Sequence, residues 1–322
     1  MKKIIILCSF AVIVGALIFL WSGSFSGKGE TVRFAVPLGT TNKNTVSYGA
    51  QLLRDKGVIK SVLALRIVST FYGLSGELQP GAYIFIKGWN DFEVAKALKS
   101  PAEVWVVIPE GLRKEEIAGI VSKKLNWSEY EKRQFISYDS SKPDNFEGTY
   151  FPDTYLIPVK DSPDDVAKRL NIRFNEELSK YKSELTKQNI KWTTALKIAS
   201  IVQREAADKS DMPLIAGIVW NRLLQNMKLD IDATLQYVRG DKGNGWWAPL
   251  KAEDKNIDSP YNTYLHTGLP PHPIDNPGAD ALKAVLYPQK TNCLYYLHDN
   301  NRITHCSPTY EGHLSNIQKY LK

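Results

Sequence analysis

An uncharged apolar run near the start of the chain places the strongest constraint on its fold. Residues 4–21 form eighteen consecutive positions without a charged side chain. As a helix, a run of that length crosses the ~30 Å hydrocarbon core of a bilayer. The two lysines before it favour a cytoplasmic N-terminus, with the remaining chain on the extracytoplasmic side. We therefore expect a single-pass transmembrane anchor, with residues 1–3 as its cytoplasmic tail.

The alternative for the same run is a cleaved signal peptide, because it opens the chain and is only just long enough to span a membrane. Residues 22–27 consist of Ser, Gly and Phe and contain no A-x-A cleavage pattern. Trp21 also lies where an interfacial aromatic residue anchors a membrane helix. Both observations favour the anchor, followed by a linker at residues 22–31.

The extracytoplasmic part is long enough for two domains at the usual ~100–200 residues each. We expect an α+β module at residues 32–135 and a mixed α+β domain, which carries the chemistry, at residues 136–322. The formal net charge of +7 suits anionic surroundings such as membrane lipid, nucleic acid or cell-wall polymer. The sequence has no aromatic-plus-basic nucleic-acid motif, and its predicted location argues against nucleic acid as a partner.

A weak internal repeat marks the module at residues 32–135. Each copy predicts a strand, a Pro-x-Gly turn and an amphipathic helix. The turns lie at residues 37–39 and 109–111, and the helices around residues 46–58 and 113–125. Between the copies the pattern predicts helices at residues 62–72 and 92–98 and a strand at residues 81–86. Nothing here indicates catalysis, so we expect a role in binding or spacing.

The second domain reads as a helical scaffold with a loop-rich second half. Helices are predicted at residues 163–185, 194–207, 212–224 and 310–321. Between residue 226 and a hairpin near residue 300 the chain is rich in Gly, Pro and Asn, and we expect it to be irregular. Such loops on a helical scaffold are where sites tend to be built.

Glu205 is the most informative residue of that scaffold. It follows Ile198 by seven residues and Ile201 by four, so the helical period places its carboxylate in line with an apolar stripe. Burial at such a position favours the protonated acid, which is what a general acid needs near neutral pH. Periodicity alone also fits a capped or salt-bridged structural glutamate.

Other catalytic arrangements lack their residues. The sequence has no G-x-S-x-G elbow, no H-E-x-x-H, no P-loop and no G-x-G-x-x-G. None of the five histidines is paired at zinc-ligand helical spacing, so we expect no metal and no cofactor. Besides Glu205, the candidate carboxylates are Asp230 and Asp232, and Trp246 and Trp247 could supply apolar faces for sugar rings. The residues thus indicate a carbohydrate-active enzyme.

Two of the three cysteines, Cys293 and Cys306, flank the predicted hairpin. A tight turn centred between Asp299 and Asn300 would place them opposite each other, and an extracytoplasmic disulfide would then form. A shift of one residue in register separates them. The sequence leaves both outcomes open.

Five blocks of this sequence match a known family, in the family's order. They are residues 147–155 (EGTYFPDTY), 199–205 (ASIVQRE), 259–264 (SPYNTY), 267–271 (TGLPP) and 276–282 (NPGADAL). On these blocks the chain resembles the MltG (YceG-like) family of endolytic murein transglycosylases along nearly its whole length. The resemblance implies a membrane anchor, a LysM-like N-terminal module and a catalytic domain around the Glu205 helix.

The resemblance also implies a reaction. Such an enzyme cleaves the MurNAc–GlcNAc bond within peptidoglycan strands without consuming water, and leaves a 1,6-anhydro-MurNAc end. Glu205 matches the second glutamate of the family signature, which acts as general acid and then as base. The substrate's N-acetyl group stabilises the oxocarbenium-like state, so Asp230 and Asp232 take structural or binding roles.

The implied location is the bacterial inner membrane, with the catalytic domain on the periplasmic side. The implied partners are nascent glycan strands, whose length the enzyme sets, and inner-membrane peptidoglycan synthases. The expected substrate-binding positions are Glu147, Tyr150, Gln203, Thr234, Gln236, Tyr261, Asn262, Tyr264 and His313. For His313, a surface or capping role is the alternative.

Two departures from the family pattern affect these assignments. The first signature glutamate is Gln203 here, which isolates Glu205. The family's H-x-F-S block near the C-terminus reads Thr304-His305-Cys306-Ser307, so its histidine is shifted by one position. On a strand that shift turns His305 to the other face, and we assign it no role.

Two other functions fit the same residues. One is a hydrolytic muramidase in which Asp232 places a water molecule, and the other is a non-catalytic peptidoglycan-binding scaffold in which Glu205 is vestigial.

Overall fold

The computed structural model describes residues 29–39, 45–74, 76–138 and 146–321. The predicted anchor at residues 4–21 lies outside these residues. Within the described ranges, no helix combines the length and the apolar composition needed to cross a membrane. The described chain forms two compact units that contain α-helices and antiparallel strands, so the predicted α+β class is confirmed.

The first unit comprises the described residues up to Val106 together with Thr154–Asp161. Its sheet has the order β1 (Thr31–Val36), β2 (Gly81–Ile86), β3 (Glu103–Val107) and β4 (Thr154–Pro158), and its helices are α1 (Val46–Asp55), α2 (Val62–Phe71) and α3 (Asp91–Ala97). Each helix begins after a side chain that accepts backbone N–H groups of the first turn, which is the ordinary N-cap arrangement. These caps are Thr45, Ser61 and Asn90.

The sheet and helices of this unit enclose an aromatic core. β1 and β2 pair antiparallel with Phe34 opposite Tyr83. Positions along β1 alternate between exposed and buried, because one face of the strand covers the core. The ring of Phe34 stacks on those of Tyr83 and Phe85 at centroid distances of 5.5 and 5.7 Å.

The second unit comprises the described parts of Val107–Asp153 and Ser162–Lys322. Its helices are α4 (Lys114–Leu125), α5 (Glu129–Ser137), α6 (Pro163–Ser179), α7 (Lys182–Lys187), α8 (Trp192–Glu205), α9 (Met212–Leu224), α10 (Asp232–Arg239), α11 (Ala279–Leu286) and α12 (Tyr310–Tyr320), with a 3₁₀ turn at Ala252–Asn256. Strands β5 (Tyr295–His298) and β6 (Thr304–Ser307) form an antiparallel hairpin.

Helix α8 lies at the centre of this unit's core. Ile198, Ile201 and Val202 are fully buried, and they belong to one apolar cluster with residues of α9 and α11 such as Ile215 and Val285. The apolar stripe predicted for this helix is therefore confirmed. Burial of that stripe fixes the rotation of α8, and with it the direction of the side chains in its last turn.

Two details of the second unit differ from the predictions. The helix predicted at residues 163–185 is two helices, because the N–H groups of Lys180 and Tyr181 bond to carbonyls three residues back and tighten the chain between them. The stretch predicted to be irregular contains α10 and α11. Each has only eight residues, so its apolar period is too short to stand out in sequence.

Candidate active site

Glu205 is the last residue of helix α8. The helix ends there because Ala206 is extended, with φ −68° and ψ 139°. The side chain of Glu205 is partly exposed. It therefore stands where the buried stripe of α8 meets the loops that follow.

The pKa of the Glu205 carboxyl is raised above its usual value, and burial is the largest cause. The Tyr296 hydroxyl donates a hydrogen bond to Oε2 at 2.5 Å and acts in the opposite direction. The negative charge of Asp232 raises this pKa further, whereas His298 and Arg204 lower it. The predicted acid thus lies in surroundings that favour its protonated form.

The β5–β6 hairpin brings Tyr296 to Glu205. Tyr296 and His298 are two residues apart on β5 and so lie on the same face of the strand. Nε2 of His298 lies 2.9 Å from Oδ2 of Asp211, which also accepts the hydroxyl of Thr304 at 2.7 Å. The hairpin is therefore fixed to the loop that follows Glu205.

Asp211 also forms hydrogen bonds within the loop that follows Glu205. Its carboxylate accepts the backbone N–H groups of Ala207 and Asp208 at 3.2 and 3.1 Å. Burial tends to raise the pKa of Asp211, but the hydrogen bonds from Thr304, His298 and the backbone outweigh it and the pKa is lowered. Asp211 is thus held as a carboxylate.

A disulfide joins Cys293 and Cys306, whose Cα atoms are 5.8 Å apart. The register expected for a tight turn is wrong, because Cys306 lies opposite Tyr296 and Cys293 precedes β5. The turn is wider than two residues, because His298 pairs with Thr304 and leaves residues 299–303 between them. Within the turn, the carboxylate of Asp299 accepts the N–H groups of Asn301 and Ile303. The disulfide forms in this shifted register.

The two downstream aspartates are placed differently. Asp232 is exposed, and its Oδ1 accepts the hydroxyl of Tyr264 at 2.5 Å. Asp230 lies 3.4 Å from the guanidinium of Arg222. The charge of Asp232 acts on Glu205 and raises the pKa of its carboxyl.

Glu147 forms a second polar centre. Its Oε1 accepts Nδ2 of Asn276 at 2.7 Å and the backbone N–H of Lys114 at 3.1 Å. Burial raises its pKa to about 7, with the charge of Glu115 adding to the shift. Asn276 also accepts the N–H of Tyr150 at 2.7 Å. Two blocks of the family resemblance therefore meet here.

Two arginines of this unit lie over aromatic rings. The guanidinium of Arg113 lies over the rings of both Tyr237 and Trp246, at 4.1 and 4.4 Å from their centroids. That of Arg204 lies 3.9 Å from the ring of Trp247. Predicted sugar-stacking surfaces are thus also cation–π partners inside the protein.

Three predicted binding residues are buried and hydrogen-bonded within the protein. The Tyr150 hydroxyl donates to Phe135 O, that of Thr234 to Ile231 O, and Nδ2 of Asn262 donates to backbone carbonyls of the 3₁₀ turn region. All three side chains are inaccessible to solvent. Their placement favours a structural role over direct contact with substrate.

The other predicted binding residues are partly exposed. Gln203 accepts the N–H of Gly278 at 3.0 Å, and Gln236 donates to the carbonyls of Trp247 and Ala248. Tyr261 lies against Tyr237, with ring centroids 5.1 Å apart. His313 stacks on Tyr295 at 5.7 Å, which separates it from the Glu205 contacts.

Sequence reasoning missed Tyr296, His298 and Asp211. The one available signal was the spacing of Tyr296 and His298, which puts both on one face of a predicted strand. In the part of the chain that the structure describes, no group of three His, Cys, Asp or Glu side chains could hold a metal.

Comparison with known proteins shows the family. The YceG-like family matches residues 36–319. A Bacillus subtilis protein named endolytic murein transglycosylase is 32% identical over 315 residues, and the match covers 90% of this chain and 85% of that protein. A Streptococcus pneumoniae protein of the same name is 26% identical over 337 residues, with 90% of this chain and 61% of that longer protein covered.

A solved structure leads to the same result. The crystal structure of a yceG-like protein from Listeria monocytogenes aligns with a TM-score of 0.61 and 27% identity, covering 89% of this chain and 98% of that one. The match to the family extends over both compact units and includes Glu205, Tyr296 and Asp211. The chain therefore belongs to the YceG-like family.

Proposed function

We propose that this protein is an endolytic murein transglycosylase, which cleaves the MurNAc–GlcNAc bond inside peptidoglycan strands. The observation that carries the proposal is the placement of Glu205: a carboxyl with a raised pKa at the end of a buried helix, in the signature block of the sequence. The shared name of the B. subtilis and S. pneumoniae relatives supports the substrate class.

In the proposed reaction Glu205 acts first as an acid. Its proton passes to the glycosidic oxygen while the bond from that oxygen to C1 of MurNAc breaks. The carboxylate then accepts the proton of the C6 hydroxyl, whose oxygen bonds to C1. The substrate's N-acetyl group stabilises the oxocarbenium-like state between these steps. The products are a free GlcNAc hydroxyl and a 1,6-anhydro-MurNAc end, without uptake of water.

One carboxyl is sufficient for this sequence of steps because it regains its proton at the end. The raised pKa of Glu205 keeps the acid form populated at higher pH than an exposed glutamate would allow. The partly exposed Gln203, Gln236, Tyr261, Tyr264, Trp246 and Trp247 are the proposed surface for the glycan strand.

The remaining assignments follow from the resemblance and are proposals as well. They are a transmembrane anchor at residues 4–21 in the bacterial inner membrane and a LysM-like module at residues 32–135. The catalytic domain at residues 136–322 would lie on the periplasmic side. Coupling to peptidoglycan synthases would let the enzyme set the length of nascent strands.

A hydrolytic muramidase is the second candidate, and one observation favours it. Asp232 is exposed and its charge acts on Glu205, so it could hold a water molecule on the open side of the site. Hydrolysis would leave reducing MurNAc ends in place of anhydro ends.

Digestion of purified glycan strands by the full chain in detergent, with products read by mass spectrometry, tests the proposal. The variants are Glu205→Gln, which keeps the shape of the side chain, and Asp232→Asn. We expect internal fragments with anhydro ends from the wild type and Asp232→Asn, and none from Glu205→Gln.

Reducing ends that disappear in Asp232→Asn would favour the muramidase. Cleavage by Glu205→Gln at the wild-type rate would refute the role of Glu205. Glycan binding without cleavage by the folded wild type would favour the scaffold.

A further inference from the structure

In the described part of the chain, the side chain that donates a hydrogen bond to Glu205 is Tyr296. It donates to one of the two carboxyl oxygens. The bond from its hydroxyl reaches Oε2 at 2.5 Å, while Oε1 accepts no hydrogen bond from the described part of the chain. The two oxygens of the carboxyl are therefore inequivalent. Proton transfer to a substrate needs one oxygen that is available to it.

We propose that Tyr296 is a positioning residue for Glu205, which holds Oε2 and so assigns the proton transfers to Oε1. The proposal rests on the proposed function. The same contact serves both chemical steps, because Oε2 accepts the Tyr296 hydroxyl whether Oε1 carries a proton or not. When the carboxyl is ionised, the hydrogen bond stabilises the anion that accepts the C6 hydroxyl proton.

The surroundings of Tyr296 keep it a donor. Burial raises the pKa of its hydroxyl well above the usual value, and the nearby carboxylate of Glu205 adds to that shift. The phenol therefore stays protonated through the pH range in which Glu205 titrates. Because its proton is held so tightly, Tyr296 cannot replace Glu205 as the general acid.

The hairpin that carries Tyr296 is fixed from several sides. The disulfide closes its open end, and His298 and Thr304 attach it to Asp211. Nε of Arg222 donates to the carbonyl of Leu294, directly before β5, at 2.6 Å. These contacts together restrict the position of Tyr296, as expected where a reacting group must be held in one geometry.

Several charged and titratable groups around Glu205 act on the pKa of its carboxyl together with the Tyr296 hydroxyl. They are Tyr296 and His298 on β5, Asp232 on α10, Arg204 on α8, and Tyr264, whose own pKa the charge of Glu205 helps to raise. A substitution of Tyr296 by Phe removes the hydrogen bond and leaves these charges unchanged. Because the bond lowers the pKa of Glu205, its loss raises that pKa further.

The test compares the pH dependence of kcat and KM for the full-length wild type, Tyr296→Phe and the matched control Tyr295→Phe on purified glycan strands. Tyr295 is the neighbour on the opposite face of β5, where its ring stacks on His313. We expect Tyr296→Phe to lower kcat about tenfold, the effect of one hydrogen bond to a charged group. KM should change little, and the high-pH limit of activity should move to higher pH.

The outcomes separate this proposal from the function on which it rests. A Tyr296→Phe enzyme with the wild-type pH profile, beside an inactive Glu205→Gln, overturns the role of Tyr296 alone. An active Glu205→Gln overturns the proposed function. If Tyr296→Phe turns over too slowly to measure, its unfolding free energy against pH is compared with that of Tyr296→Phe/Glu205→Gln. In the Tyr296→Phe background, the effect of Glu205→Gln on the unfolding free energy must persist to higher pH than it does in the wild-type background. If it covers the same pH range in both backgrounds, the proposal is refuted.

Discussion

Nε2 of His298 lies 2.9 Å from Oδ2 of Asp211, so strand β5 is attached to the loop that directly follows Glu205. The same carboxylate oxygen accepts the Thr304 hydroxyl. Thr304 lies opposite His298 in the hairpin, so both strands of the hairpin contact Asp211.

Substitution of Asp211 by Asn should reduce stability by about 1–3 kcal/mol, because partly buried donors on the hairpin lose their charged acceptor. The pKa of Asp211 is lowered in the fold. Its contribution is therefore present above the ordinary Asp range near ~3.9 and is lost as the pH falls through the folded value. Urea unfolding at several pH values measures this. The exposed Asp258→Asn is the control, and equal acid sensitivity of wild type and Asp211→Asn would contradict the prediction.

Removal of the disulfide should loosen the hairpin that carries Tyr296. The bond closes a loop between positions 13 apart, for which the loss is on the order of 3 kcal/mol. We expect a Cys293→Ser/Cys306→Ser double variant to unfold at lower temperature and to cleave glycan strands more slowly. Cys8→Ser is the control, as it leaves the pair intact. Identical melting of the double variant and the wild type would show that the disulfide adds nothing.

Two helical glycines should respond to alanine in opposite directions. A Cβ on Gly217 in α9 would collide with the backbone oxygen of Gln289, whereas one on Gly119 in α4 would meet nothing within 4 Å. Gly119→Ala should therefore add up to about 1 kcal/mol through helix propensity. Gly217→Ala should cost about 1–3 kcal/mol by overpacking. Chemical denaturation compares them, and equal signs would be the contrary result.

Glu147→Gln should change how stability depends on pH. Because the folded pKa of Glu147 is raised to about 7, its favourable contribution is present below the unfolded value near ~4.3 and is lost as the pH rises toward 7. Glutamine has no charge to bury and still accepts from Asn276. The variant should therefore lose less stability than the wild type between pH 5 and 8 in ~0.1 M salt, where screening is constant. If the stability of the two proteins fell equally with rising pH, the loss would come from the titration of another group.

Local sequence patterns predicted much of the scaffold. Helix α9 and strand β2 occupy the predicted residues 212–224 and 81–86, and Glu205 continues the buried stripe of α8. These features depend on periodicity over a dozen residues or fewer, and the sequence contains that directly. The short helices α10 and α11 offer too few turns for the same signal.

The contacts of the site were not predictable in this way. Tyr296 and Glu205 are 91 positions apart, and Asp211 and His298 are 87 apart. Their meeting depends on how the hairpin packs, and the hairpin's register followed from the wide turn at Asp299, which the sequence pattern placed wrongly. Pairings between distant residues are set by tertiary packing, so the sequence predicted Glu205 as the acid but not its hydrogen bond with Tyr296.

The separation of Glu205 from Tyr296 along the chain also bears on when the site becomes complete. A ribosome makes residues in order, so the residues of helix α8 are made before those of the strand that contacts its last carboxyl. Long-range pairing of this kind forms slowly and late in folding. Glu205 is therefore made before its hydrogen-bond donor Tyr296. Their hydrogen bond forms only after the C-terminal hairpin has packed against the rest of the domain.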